Sequence, residues 1–151
     1  MEVEIRRIAP DELASLLELY GHLHAADVPL PDAATVQAVW QEMLRDPRLR
    51  CLVAEDAGRL VASCTLVIVP NLTRGARPYG LIENVVTHAD YRRRGIATRL
   101  LRQALDMAWE AGCYKVMLLT GRKDEATLRF YEQAGFQRDE KTGFVAKPDT
   151  G

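Results

Sequence analysis

The chain reads as mixed α/β, with a mainly antiparallel sheet, a parallel pair near its centre and flanking helices. Three observations carry this. Apolar runs at 50–55 and 60–69 flank Asp56-Ala57-Gly58, a good hairpin turn. A β-branched run at 81–87 precedes an amphipathic helix from Ile96, and a short apolar segment at 115–119 follows that helix, so a helical crossover links two strands. The 151 residues suffice for one domain, 1–151, with a real core, and are few for two.

The elements follow in order. Val3, Ile5 and Ile8 alternate well enough for a first strand over 2–8. Pro10 suits the start of a helix, on which Leu13, Leu16, Leu17 and Tyr20 form an apolar stripe. Val28-Pro29-Leu30-Pro31 breaks the chain, and Asp32 can cap a second helix carrying Val36, Val39, Trp40, Met43 and Leu44, which Asp46-Pro47 ends. Residues 70–80, rich in Gly and Pro, form a long loop of the kind that carries function. Gly112 can cap the helix from Ile96, whose apolar positions are Ile96, Leu100, Leu101, Ala104, Leu105 and Ala108. Asp124 can cap a last helix ending near Gly135, and 136–137 and 144–147 read as closing strands. Trp40 and Trp109 read as helix-face core residues.

The stretch that organises the chain is Glu83 to Thr98. Its turn, Arg92-Arg93-Arg94-Gly95, must sit at a helix start, where backbone N–H groups lack intrahelical partners and the helix dipole is positive. No Ser, Thr, Asp or Asn directly precedes Gly95 to cap those groups. Glycine lets a bulky group approach the backbone, so donors, positive charge and access suit a phosphate.

The run Arg92-Arg93-Arg94-Gly95-Ile96-Ala97 resembles the Arg/Gln-x-x-Gly-x-Gly/Ala signature of the Gcn5-related N-acetyltransferase (GNAT) family, and Phe130-Tyr131-Glu132-Gln133-Ala134-Gly135-Phe136 is a second family-like segment downstream. The resemblance implies the GNAT fold over nearly the whole chain, with a splayed parallel pair making the cleft for acetyl-coenzyme A. It also implies site residues. The amides of Arg93, Arg94, Gly95, Ala97 and Thr98, with Arg92 at the signature position and Ile96 within the turn, would hold the pyrophosphate. Backbone groups of Val85, Val86 and Thr87 would hold the pantetheine arm and the thioester oxygen. The chain departs from the family at Asp124-Glu125-Ala126-Thr127, where Asn-x-x-Ala is common. An aspartate cannot donate as an amide does, which weakens the cofactor contact assigned to Asp124 and Thr127. It departs again at Asn84, where family members acting on amino-sugar phosphates often have an acidic residue, and this argues against that acceptor.

Amide formation from a thioester needs a base for the amine, stabilisation of the carbonyl oxygen and an acid for the departing thiolate, and no metal. Glu83, a charged residue inside an apolar strand, should face a cleft or solvent and is the candidate base. The resemblance makes Tyr131 the candidate acid. His22, His24 and His88 are isolated in sequence, so a metal site is not expected, and His88 reads as a cap at the strand end. Cys51, Cys64 and Cys113 lack CxxC spacing, which argues against disulfides, zinc or a cysteine nucleophile.

Composition sets the partners. A net charge of −1 gives no general pull toward nucleic acid or acidic membranes, no apolar run is long enough to span a bilayer, and the N-terminus does not read as a signal peptide. The expectation is a cytoplasmic enzyme acting on a small-molecule amine by direct transfer in a ternary complex. Homodimerisation is expected from family habit only. Residues 22–34 and 70–80 would shape the acceptor site, where Arg74 and Arg77 suit an acidic or phosphorylated group, a dimer interface or open water. The competing readings are a protein N-terminal or lysine acetyltransferase and a non-catalytic acyl-coenzyme A sensor.

Overall fold

The computed structural model describes residues 2–149. The elements are β1 (Glu4–Arg7), α1 (Leu13–Tyr20), α2 (Ala33–Arg45), β2 (Leu49–Asp56), β3 (Arg59–Val69), a short kinked α3 (Thr73–Ala76), β4 (Tyr79–Thr87), a 3-10 turn (Ala89–Tyr91), α4 (Ile96–Glu110), β5 (Val116–Leu118) and α5 (Glu125–Gln133). The sheet has the order β1-β2-β3-β4-β5. Every pair is antiparallel except β4–β5, which is parallel and joined across α4.

Local chemistry accounts for most boundaries. Asp32 accepts the Thr35 amide at 2.8 Å and starts α2, and Asp124 does the same for α5 with the Thr127 amide at 3.1 Å. Ala57 (φ 49°) and Gly58 (φ 85°) make the tight left-handed turn that matches the twist of the β2–β3 hairpin.

The two faces of the sheet are packed separately. α4 lays Ile96, Leu100, Leu101, Ala104 and Ala108 on one face, against Leu52, Cys64, Leu66 and Ile82. α1 and α2 cover the other with Leu16, Leu19 and Trp40, against Cys51, Val53, Leu60 and Val86.

Two expectations fail. Trp109 is 49% exposed, one position beyond the buried stripe of α4 that ends at Ala108. The closing strands at 136–137 and 144–147 do not form, and Phe144 and Val145 are 89% and 71% exposed. Arg138 bonds Glu125 and Glu132 at 2.8 Å each, holding the chain back against α5, so the later segment passes the side chain of Leu119 without joining the edge of β5. β-branched and aromatic residues favour strands only where a partner backbone lies within reach.

Candidate active site

The site begins with a bulge in β4. Thr65 pairs with Glu83 and Ser63 with Val86, so two residues of β4 oppose the single Cys64 of β3. Asn84 absorbs the extra residue in a left-handed conformation (φ 53°). Glu83 and Val86 therefore share the face that α1 and α2 cover, while Val85 packs toward α4.

The other edge of β4 opens here as well. Its pairing with β5 stops at Ile82 and Leu118, yet β4 runs on to Thr87. The parallel pair thus splays, leaving a cleft of about 870 Å³ lined by Glu83 to Thr87, the turn after β4, the start of α4 and Tyr131 of α5.

The arginine turn closes one end of this cleft. Gly95 (φ 76°) is the N-cap of α4 and offers no side chain to the free amides behind it, and a Cβ there would meet nothing within 4 Å. Arg92 folds inward, donating from Nε to the Thr87 carbonyl (3.2 Å) and from its terminal nitrogen to the His22 carbonyl (3.1 Å). Arg94 stacks on Tyr91 at 5.1 Å, and Tyr91 donates to Asp56 at 2.7 Å. Arg93, left-handed at φ 62°, lines the cleft with Gly95, Ile96, Ala97 and Thr98. Amides in the first turn of a helix with a dipole behind them fit a phosphate ester.

Tyr131 is half-buried between Phe130 (4.8 Å) and Phe136 (6.3 Å). Burial, and secondarily the nearby Cys64, push its pKa up, so the phenol keeps its proton well past neutrality. Thr127 lines the cleft; Asp124 and Arg94 are absent from its wall. The Asp124 carboxylate accepts from the Thr127 amide, the Thr127 hydroxyl and Arg122, an all-acceptor role that leaves it holding α5 and its own loop.

Several contacts at the site come from tertiary structure. His22, from the turn after α1, stacks on His88 at 4.0 Å, accepts the Ala89 amide at 3.3 Å and lines the cleft with His24. His88 does cap the strand end, its Nδ1 accepting the Asp90 amide at 3.0 Å. Burial, then His22 and Arg59, hold the His88 pKa below the usual histidine range. Tyr20 lies beside Thr65 and Asn84, and burial pushes its pKa up to about 12. The buried Thr65 hydroxyl, opposite Glu83, makes no hydrogen bond among the described residues. No local pattern marks the contact of His22 with His88 or of Tyr20 with Thr65 and Asn84, because their elements meet only through the sheet. Cys51, Cys64 and Cys113 are buried free thiols, and burial pushes each pKa up, Cys64 to about 12. Among the described residues no group of His, Cys, Asp or Glu is placed to hold a metal, and no helix is long and apolar enough to cross a membrane.

A mixed sheet splayed at its parallel pair thus frames one cleft, with an uncapped helix start at one end and a carboxylate and a phenol on its walls. The chain belongs to the acetyltransferase (GNAT) family, whose model matches residues 13–136, and is thereby an N-acetyltransferase. It is 33% identical over 147 residues to a glucosamine 6-phosphate N-acetyltransferase of Trypanosoma brucei brucei, covering 93% of each chain. A crystal structure of a Trypanosoma brucei acetyltransferase superposes with a TM-score of 0.79 at 34% identity, over 97% of this chain and 100% of that one. A structure from Agrobacterium tumefaciens str. C58, provisionally described as an acetyltransferase, gives a TM-score of 0.89 at 48% identity, over 96% and 99%.

Proposed function

We propose that this chain is a single-domain, cytoplasmic enzyme that moves an acetyl group from acetyl-coenzyme A to the primary amine of a small molecule, by direct transfer in a ternary complex. The supporting observation is the position of Glu83. It stands on the cleft wall where β4 leaves β5, with the arginine turn at one end of the same cleft and Tyr131 across it.

In this reading the first-turn amides of α4 and the Arg92–Thr98 turn bind the cofactor's pyrophosphate. The backbone of Val85, Val86 and Thr87, unpaired on the β5 side, binds the pantetheine arm as a partner strand would and donates to the thioester oxygen as it becomes negative. Glu83 takes the proton of the amine, directly or through water. The amine nitrogen attacks the carbonyl carbon, the C–S bond breaks, and Tyr131 delivers its proton to the departing thiolate. A phenol with a raised pKa is protonated at neutral pH, as this role demands. The Trypanosoma relative's named acceptor makes an amino-sugar phosphate a leading acceptor class, despite Asn84.

The test is thiol release from acetyl-coenzyme A across amino sugars, amino-sugar phosphates, polyamines, amino acids and short peptides, with cofactor binding measured alongside. Turnover confined to small amines supports the proposal. Turnover of peptides alone moves the acceptor to protein, and cofactor binding with no turnover leaves a sensor.

A further inference from the structure

The face of the sheet that carries Glu83 continues away from the arginine turn, and it ends in a second basic cluster. Strand alternation puts Tyr79, Leu81 and Glu83 on one side of β4. Leu81 pairs with Met117, so Met117 lies beside it, and Lys115, two residues earlier, reaches back over the Tyr79 ring at 5.5 Å. Leu81 and Met117 are half-buried. They form an apolar floor with the candidate base at one end.

At the other end three cations crowd a single ring. Arg74, Arg77 and Lys115 lie 5.9, 5.7 and 5.2 Å from the centre of Tyr114, which itself packs edge-on to Tyr79. None of the three is in an ion pair among the described residues, although the chain has 21 acidic residues. Among the described residues their mutual repulsion is met by aromatic faces, Tyr114 for all three and Tyr79 for Lys115 as well. Among the described residues the one side-chain hydrogen bond of Arg77 uses Nε, toward the Arg74 carbonyl at 3.1 Å. The loop is held in an unfavourable shape to do this: Arg74, Gly75 and Ala76 are all left-handed (φ 55°, 74° and 59°). Asn71 fixes it by donating to the Thr73 and Arg77 carbonyls, both at 3.1 Å. Non-glycine residues pay about 1–2 kcal/mol for that conformation.

We propose that Arg74, Arg77 and Lys115 form an anion subsite, and that it takes the phosphate of an acceptor that is a small phosphorylated primary amine. Three positive charges match a dianion better than a single carboxylate, and two guanidinium groups can present forked donors to phosphate oxygens. Tyr79 and Glu83 are four residues apart on one strand, about 13 Å at the backbone, and the arginine and glutamate side chains shorten that span from both ends. An amine at Glu83 and a phosphate at the cluster then fit one molecule of monosaccharide size lying over Leu81 and Met117. This rests on the assignment of Glu83 as the base.

The experiment compares glucosamine 6-phosphate with glucosamine in wild type, Arg74→Ala/Arg77→Ala and Lys115→Gln, by kcat/KM and by calorimetric Kd for the coenzyme A complex, which needs no turnover. Wild type should favour the phosphorylated amine by about tenfold to a hundredfold, the scale of one or two charge-assisted hydrogen bonds. The variants should lose most of that ratio, and cofactor Kd should not move. Inorganic phosphate should compete with the acceptor in wild type only. A wild type that binds both amines equally overturns the subsite, as does a ratio that survives in the double variant or a double variant that changes only the sedimentation mass. Glu83→Gln is run in parallel: if it turns over normally while the ratio responds as expected, the base assignment fails and the subsite stands.

Discussion

The molecule has two arginine clusters, and they are built in opposite ways. The Arg92–Gly95 turn is contiguous in sequence; Arg92 and Arg94 turn their side chains onto protein groups, leaving backbone amides at the head of α4 to face the cleft. The Arg74–Arg77–Lys115 cluster is assembled from a strained loop and the residue just before β5, and there the side chains themselves are the presented charge. A backbone site needs a left-handed glycine and a helix dipole. A side-chain site needs an aromatic platform and tertiary placement. The first suits a cofactor common to a family, the second an acceptor particular to this chain.

That contrast can be broken or sharpened. The largest effect should come from Glu83, which lies between the two clusters: Glu83→Gln should lower kcat by roughly 10²–10⁴ while cofactor Kd, read by calorimetry, stays near wild type. Tyr131→Phe should follow, at about 10²-fold in kcat. Because burial raises the Tyr131 pKa, the alkaline fall of the wild-type rate that reports loss of its proton should be displaced above the ordinary tyrosine range, and a pH–rate profile would reveal a fall at the unperturbed value. Next comes the backbone site. Gly95→Val forces a β-branched residue into φ 76° and should weaken acetyl-coenzyme A binding by about tenfold with acceptor KM unmoved; equal weakening of both ligands would mean that the two clusters are not separate.

The smallest effect is at the base of the turn. His88 titrates below its unfolded value, so as pH falls the unfolded chain takes up the proton first. Stability should therefore be level above about pH 6.5 and decline below it, and His88→Gln should flatten that decline in a thermal-melt series. A melt curve with equal slopes for both proteins would detach His88 from the effect.

Much of this was legible before any coordinates. Asp32, Asp124, Gly95 and the Asp56–Gly58 turn act through neighbours only a few residues away, and the structure has helices and a hairpin where they lie. The 144–147 segment misled because its β propensity is real, while the chain, with Arg138 tied to α5, meets the end of β5 at the Leu119 side chain and pairs with no strand. Trp109 misled by one position, because helical periodicity blurs at the rim of an apolar stripe.

The order of elements as far as α5, the caps at Asp32 and Asp124 and the character of the α4 head were thus set by the sequence alone, since each depends on contacts spanning at most a turn of chain. The bulge that turns Val86 to the same face as Glu83, the stacking of His22 on His88, and the convergence of three cations on Tyr114 were decided only by tertiary structure. Register and sheet order bring these residues together across long stretches of chain, and neither is written in any local pattern.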